Sequence, residues 1–167
     1  MHVHKLADSL ERVLSPVSRV LSKIGSGILV LMVFITVADV IGRKMFNMPV
    51  KGAYEVGEML LVLVVFFNLP NTEMQDGNVS IEILFIRFGQ RTQKIIHSLM
   101  YVLFLVIAVL FTWQLFVLAS DEWSDRFTTT VLNLPTAPVI FLAALGCAVL
   151  CFVVLARLLL LMCGGGR

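Results

Sequence analysis

The chain has 167 residues, of which 59% are hydrophobic and 14% are charged, against about 45–50% and about 25% in ordinary soluble domains. The net charge of +2 is too small for the electrostatic footprint of a nucleic-acid-binding protein. The composition therefore argues against a disordered chain, a nucleic-acid binder and a water-soluble globule. It predicts a single all-α integral membrane domain over residues 1–167.

The N-terminal segment is the first predicted element. Apolar residues recur every three or four positions, and charged and hydroxyl residues fill the other face. This periodicity predicts an amphipathic interfacial helix over residues 3–14, lying on the membrane surface, with a soluble helix packed on a partner as the alternative. Ser15 and Pro16 are typical of a helix start, so a second helix is expected to begin there.

Four apolar segments follow, each long enough to cross the hydrocarbon core of a bilayer. About 20 apolar residues suffice in a helix that rises about 1.5 Å per residue. We predict transmembrane helices over residues 24–41, 53–71, 95–120 and 135–161. Pro70 is expected to end or kink the second helix, and Arg157 to reach the membrane interface. Residues 76–90 are too short and too charged to span, and are predicted to form an interfacial segment.

The distribution of Lys and Arg predicts the orientation. Four spans place both termini on the same side of the membrane. If that side is the cytoplasm, nine of the 13 Lys and Arg residues lie inside and four lie outside. The positive-inside rule therefore favours an N-in, C-in topology.

Five charged residues are expected to lie near one another where the first two spans meet: Asp39, Arg43, Lys51, Glu55 and Glu58. Asp39 and Arg43 are four residues apart and so share a helix face. The turn then brings Lys51 back towards the two glutamates. Charges near a membrane core need partners, so the set predicts a structural network that holds the hairpin and its partner. A proton- or ion-coupling acid and a docking site for another subunit are the alternatives.

The sequence predicts neither an enzyme nor a cofactor site. His97 lacks a second histidine in the spans to complete a haem site, and no Cys or His spacing matches a zinc site. Ala143, Cys147 and Cys151 are spaced four apart, and such rows of small residues let helices pack closely. The residues indicate a scaffold or accessory subunit. A four-helix membrane redox protein and a small exporter are the alternatives.

Three motifs in residues 39–70 carry a family resemblance. DVIGRKMFNMP at 39–49 is similar to a D-V-x-x-R-x-x-F-N-x-P pattern, GAYEVGE at 52–58 to G-x-x-E-x-x-E, and FFNLP at 66–70 to F-x-x-L-P. The short segment GNVSIE follows at 77–82. In this order the motifs resemble those of the small membrane subunit (the Q, or DctQ-type, subunit) of tripartite ATP-independent periplasmic (TRAP) transporters. Asn78 and Lys44 stand where the family often has His and Tyr.

The resemblance implies a permease subunit of the bacterial inner membrane, surrounded by membrane lipid. Its partners would be a large elevator-type membrane subunit, which holds the substrate and Na⁺ sites, and a periplasmic substrate-binding protein. The small subunit would serve as a scaffold in Na⁺-driven uptake of an organic acid, with no substrate, metal or cofactor of its own. We expect an outer loop with Asp121, Glu122, Asp125 and Arg126 to contact the binding protein.

Overall fold

Four long helices form the protein in this computed structural model, which describes residues 2–75 and 90–162. They are α1 (His2–Met45), α2 (Ala53–Met74), α3 (Gln90–Ser124) and α4 (Ala137–Met162). Each contains a stretch long and apolar enough to cross a membrane, which confirms, for the described residues, the predicted all-α fold with four helices of spanning length. The interfacial segment predicted at 76–90 lies, apart from residue 90, outside the described residues.

The first helix is continuous, so the boundary predicted at Ser15 and Pro16 is absent. Pro16 has no amide hydrogen for the carbonyl of Arg12, which removes one helical hydrogen bond. Packing holds the helix together at this point, because Leu14 and Ser18 are buried and Leu14 contacts α4. Residues 3–14 therefore continue the first spanning helix, and their placement on the membrane surface stays a prediction.

The second helix runs through Pro70 to Met74 and does not end at the proline. Pro70 cannot donate a hydrogen bond to the carbonyl of Phe66, four residues earlier. That carbonyl lies against Gly146 of α4, where an added Cβ would come within 2.7 Å of its oxygen. The gap in the hydrogen bonding of α2 thus lies where the backbone of α4 comes very close.

The fourth helix is central to an open bundle. α1 packs on α2 and α4, α2 packs on α4, and α3 packs closely on α4 alone among the described helices. Of the most apolar stretch in each helix, 44% is buried in α4 but only 6% in α1 and 11% in α3. Broad apolar faces of α1 and α3 therefore lie outside the bundle.

Small residues allow α4 to hold this position. Ala143, Ala144 and Cys147 are fully or almost fully buried. The Cys147 thiol lies 3.7 Å from the Ala108 carbonyl of α3, and Cys151 lies 3.3 Å from the Thr112 hydroxyl. The prediction that this row packs against a neighbouring helix is confirmed. Without bulky side chains, the helices approach closely enough for van der Waals contact along their backbones.

The contact at Gly146 can be tested against a matched glycine on α2. Gly146→Ala places a methyl group against the Phe66 backbone, which cannot move aside as a flexible side chain could. We expect it to lower the free energy of unfolding by about 1–3 kcal/mol, the usual cost of overpacking. Gly57→Ala meets nothing within 4 Å, so it should be neutral or slightly stabilising. Unfolding in detergent micelles measures both, and equal stabilities would contradict the packing described.

Candidate functional site

Polar contacts join the helices at both ends of the bundle. The loop end contains the α1–α2 turn, residues 46–52, and the α3–α4 loop, residues 125–136. The terminal end contains the start of α1, the end of α2, the start of α3 and the end of α4. Most of the charged residues singled out from the sequence lie at the loop end.

Asp39 closes the α1–α2 turn. It is buried near the end of α1, with only 9% of its surface exposed. One carboxylate oxygen accepts a hydrogen bond from Arg43 Nη2 at 2.5 Å, and the other accepts one from the Val50 amide at 2.9 Å. Both oxygens are therefore used within the hairpin, one by a side chain on the same helix and one by the turn backbone.

Glu55 fastens the α3–α4 loop to the start of α2. Its two carboxylate oxygens accept hydrogen bonds from the Val131 amide at 2.8 Å and the Leu132 amide at 3.0 Å. Gly52, the residue before α2, has a φ of 78° and its missing side chain leaves the space that Leu132 occupies. Only glycine adopts this conformation readily. The loop and the first turn of α2 thus form one unit.

The five charges predicted as one network separate into distinct contacts. Glu58 interacts with the hydroxyl of Tyr54, and Lys51 is exposed. Within the described part of the chain, the ion pair at this end joins Asp39 and Arg43, and Lys51 has no carboxylate partner. Within this chain, backbone amides of the turn and the loop satisfy Asp39 and Glu55, and a network that includes the partner stays a prediction.

The acidic residues near the end of α3 also differ from expectation. α3 extends to Ser124, so Asp121 and Glu122 lie in its last turn and not in a loop. Glu122 accepts a hydrogen bond from the Thr136 hydroxyl, and its backbone carbonyl accepts one from the Phe127 amide. Asp121, Asp125 and Arg126 are exposed. Glu122 therefore helps to position the loop, whereas the exposed charges are accessible to a partner.

The terminal end has a polar cluster that the sequence did not predict. Arg157 Nη2 of α4 donates a hydrogen bond to the Met74 carbonyl of α2 at 2.7 Å. The Tyr101 hydroxyl of α3 interacts with Glu73 of α2 and with Arg157. The sequence predicted that the second span ends at residue 71, which placed Glu73 in a polar connector. It also predicted that the Arg157 side chain extends to the membrane interface. Instead, the three side chains join three helices, and Glu73 is buried.

A further polar contact lies between α1 and α2. The Ser22 hydroxyl donates to Asn68 Oδ1 at 2.8 Å and accepts from Asn71 Nδ2 at 3.3 Å. Asn68 also donates to the Val64 carbonyl of its own helix. Hydrogen bonds of this kind link helices within membranes. Among the described residues, no three His, Cys, Asp or Glu side chains come together in a way that could hold a metal ion.

Residues 32–164 match the family described as tripartite ATP-independent periplasmic transporters, DctQ component. The chain belongs to this family. The match runs from the middle of α1 to the end of α4, so it includes the loop end, the terminal cluster and the central helix. It confirms the resemblance drawn from the motifs at 39–70, and it makes the chain a membrane component of a TRAP transporter. Comparisons with curated proteins and with solved structures found no match.

The role of Glu55 in this DctQ chain is testable by hydrogen–deuterium exchange. Glu55→Gln removes the negative charge and one of the two acceptor oxygens, so we expect faster exchange at the amides of Val131 and Leu132. Glu58→Gln is the matched control, because it changes the neighbouring turn of the helix without touching the loop. Unchanged protection in the Glu55 variant would show that the loop is held by other contacts.

Proposed function

We propose that this DctQ-family chain is the small permease subunit of a TRAP transporter and acts as a fixed scaffold for the large, elevator-type membrane subunit. The main support is the way its two helical hairpins are joined. Glu55 links α2 to the α3–α4 loop at one end, and Arg157 links α4 to α2 at the other. Because the two hairpins are joined at both ends, they resist movement relative to each other. A scaffold for a moving elevator subunit needs this rigidity.

The transport reaction we propose is Na⁺-driven uptake of an organic acid, delivered by a periplasmic binding protein. The substrate and Na⁺ sites would lie in the large subunit, and this chain would be neither an enzyme nor a cofactor carrier. Family membership supports placement in the bacterial inner membrane, and the distribution of Lys and Arg supports an orientation with both termini in the cytoplasm. The loop end would then face the periplasm. Family membership favours this role over a membrane redox protein or a stand-alone exporter.

Two groups of side chains at the loop end are proposed as partner contacts. Lys51 and Glu58 are exposed beside the hairpin that Asp39, Arg43 and Glu55 hold in shape, so they are accessible to the large subunit. Asp121 and Asp125 are exposed at the end of α3 and in the loop that follows. They are proposed to meet the binding protein, with Arg126 beside them and Glu122 holding the loop in place.

Co-purification tests the scaffold assignment. The tagged chain, extracted from native membranes in a mild detergent, is expected to bring down a large membrane permease in a one-to-one ratio, identified by mass spectrometry. A tagged four-helix membrane protein of another family is the control for non-specific capture. A chain that purifies without any such permease would contradict the proposal.

Charge reversal tests the contact with the binding protein. Asp121→Lys with Asp125→Lys should slow uptake at limiting binding-protein concentration by about ten-fold, because exposed charges at an interface mainly control the association rate. Asn at both positions should have a smaller effect in the same direction, and high salt should reduce the difference. Both variants leave the Glu122–Thr136 hydrogen bond intact. Uptake equal to that of the wild type would exclude the contact.

A further inference from the structure

A stripe of three cations runs along one face of α1. Arg12, Arg19 and Lys23 are exposed, and spacings of seven and four residues return to the same side of a helix. Leu14 and Ser18 are buried on the opposite side, where Leu14 packs against Val153 and Ala156 of α4. The stripe therefore points away from the bundle, on a part of α1 that the bundle holds in place.

Among the described side chains, Arg12, Arg19 and Lys23 form no ion pair. The sequence contains no Asp or Glu between Glu11 and Asp39, and the ion pair that the described side chains of α1 form is the one between Asp39 and Arg43, at the other end of the helix. From Arg12 to Lys23 the stripe extends about 16 Å along the helix axis. Three like charges on one face attract an anionic surface, and the two nearest the apolar run, Arg19 and Lys23, are about 6 Å apart along the axis.

The position of the stripe indicates which partner that is. Lys23 immediately precedes an uncharged run, residues 24–38, so Lys23 and Arg19 lie where the hydrocarbon region begins. Val20 and Ile24 flank the stripe and are about half exposed, at 54% and 49%. Cations above exposed aliphatic side chains match a phospholipid, whose phosphate lies at the interface and whose acyl chains extend below it.

We propose that this face of α1 binds the phosphate groups of anionic phospholipids in the leaflet at the terminal end. The guanidinium group of Arg19 offers paired donors that fit phosphate oxygens, and Lys23 adds a point charge at the hydrocarbon edge. Arg12 lies further from that edge along the helix and attracts anionic lipids over a longer range. The bound lipids hold α1 at a defined depth. The 44 residues of α1 extend about 66 Å, roughly twice the thickness of the hydrocarbon core. The length of α1 therefore does not fix its depth in the membrane, and bound lipids would.

The experiment uses the full chain in nanodiscs of equal parts phosphatidylglycerol and phosphatidylcholine. Native mass spectrometry of the released protein measures the ratio of the two lipids that remain bound. The wild-type chain should retain phosphatidylglycerol in excess, and Arg12→Gln, Arg19→Gln and Lys23→Gln together should reduce this ratio by at least about ten-fold. Lys44→Gln, Lys51→Gln and Arg126→Gln together remove the same charge from exposed positions at the loop end, and should keep most of the excess.

Several outcomes would overturn the proposal. One is an unchanged lipid ratio in the stripe variant, and another is an equal loss in both triple variants, which would indicate a general charge effect. Arg12→Lys with Arg19→Lys keeps the charge and should keep the excess, so a loss there would indicate a folding defect or a site that is not electrostatic. If the stripe variant keeps its lipid but loses the large subunit, the face is a protein contact. Co-purification of the wild-type chain tests the scaffold role separately, whatever the lipid result.

Discussion

The close approach of α4 to its neighbours is the constraint on which the rest of the structure depends. Inside a bilayer, apolar side chains gain little by leaving lipid for one another, so helices associate through van der Waals packing and hydrogen bonds. Gly146, Ala143 and Cys147 make this packing possible, since none adds bulk between the backbones. Pro70 contributes indirectly, because it leaves the Phe66 carbonyl without a helical donor at the place where α4 approaches α2. α2 and α3 pack directly on α4, and α1 packs on both α2 and α4.

Polar contacts then fasten this apolar body at its two ends. A polar group withdrawn from water is costly unless it finds a partner, so the buried acids Asp39 and Glu73 favour arrangements that supply one. At the loop end, Glu55 binds two amides of the α3–α4 loop. At the terminal end, Arg157 and Glu73 meet around Tyr101, which gives α3 a second point of attachment besides α4. The bundle is open in cross-section yet joined at both ends.

An open bundle leaves large apolar faces outside, and in a DctQ-family chain these faces have two possible neighbours, lipid and the other membrane component. The charged residues help to separate the two. Arg12, Arg19 and Lys23, which form no ion pair among the described residues, make a basic stripe at the terminal end, where we propose phospholipid headgroups bind. The exposed side chains at the loop end, such as Lys51 and Asp121, surround structured turns and suit protein partners. A subunit fixed both to lipid and to a large permease would provide a stationary base for transport.

The sequence by itself determined the four spans and the Asp39–Arg43 pair, because the length of an apolar run and the face shared by residues four apart are local properties. It also carried the family motifs. Only the tertiary structure decided that Glu55 binds amides 76 and 77 residues away, and that Glu73, Tyr101 and Arg157 come together. It also decided that α1 and α2 continue through their prolines. These features depend on contacts between distant segments, which compensate a lost helical hydrogen bond or supply a partner that no local pattern reveals.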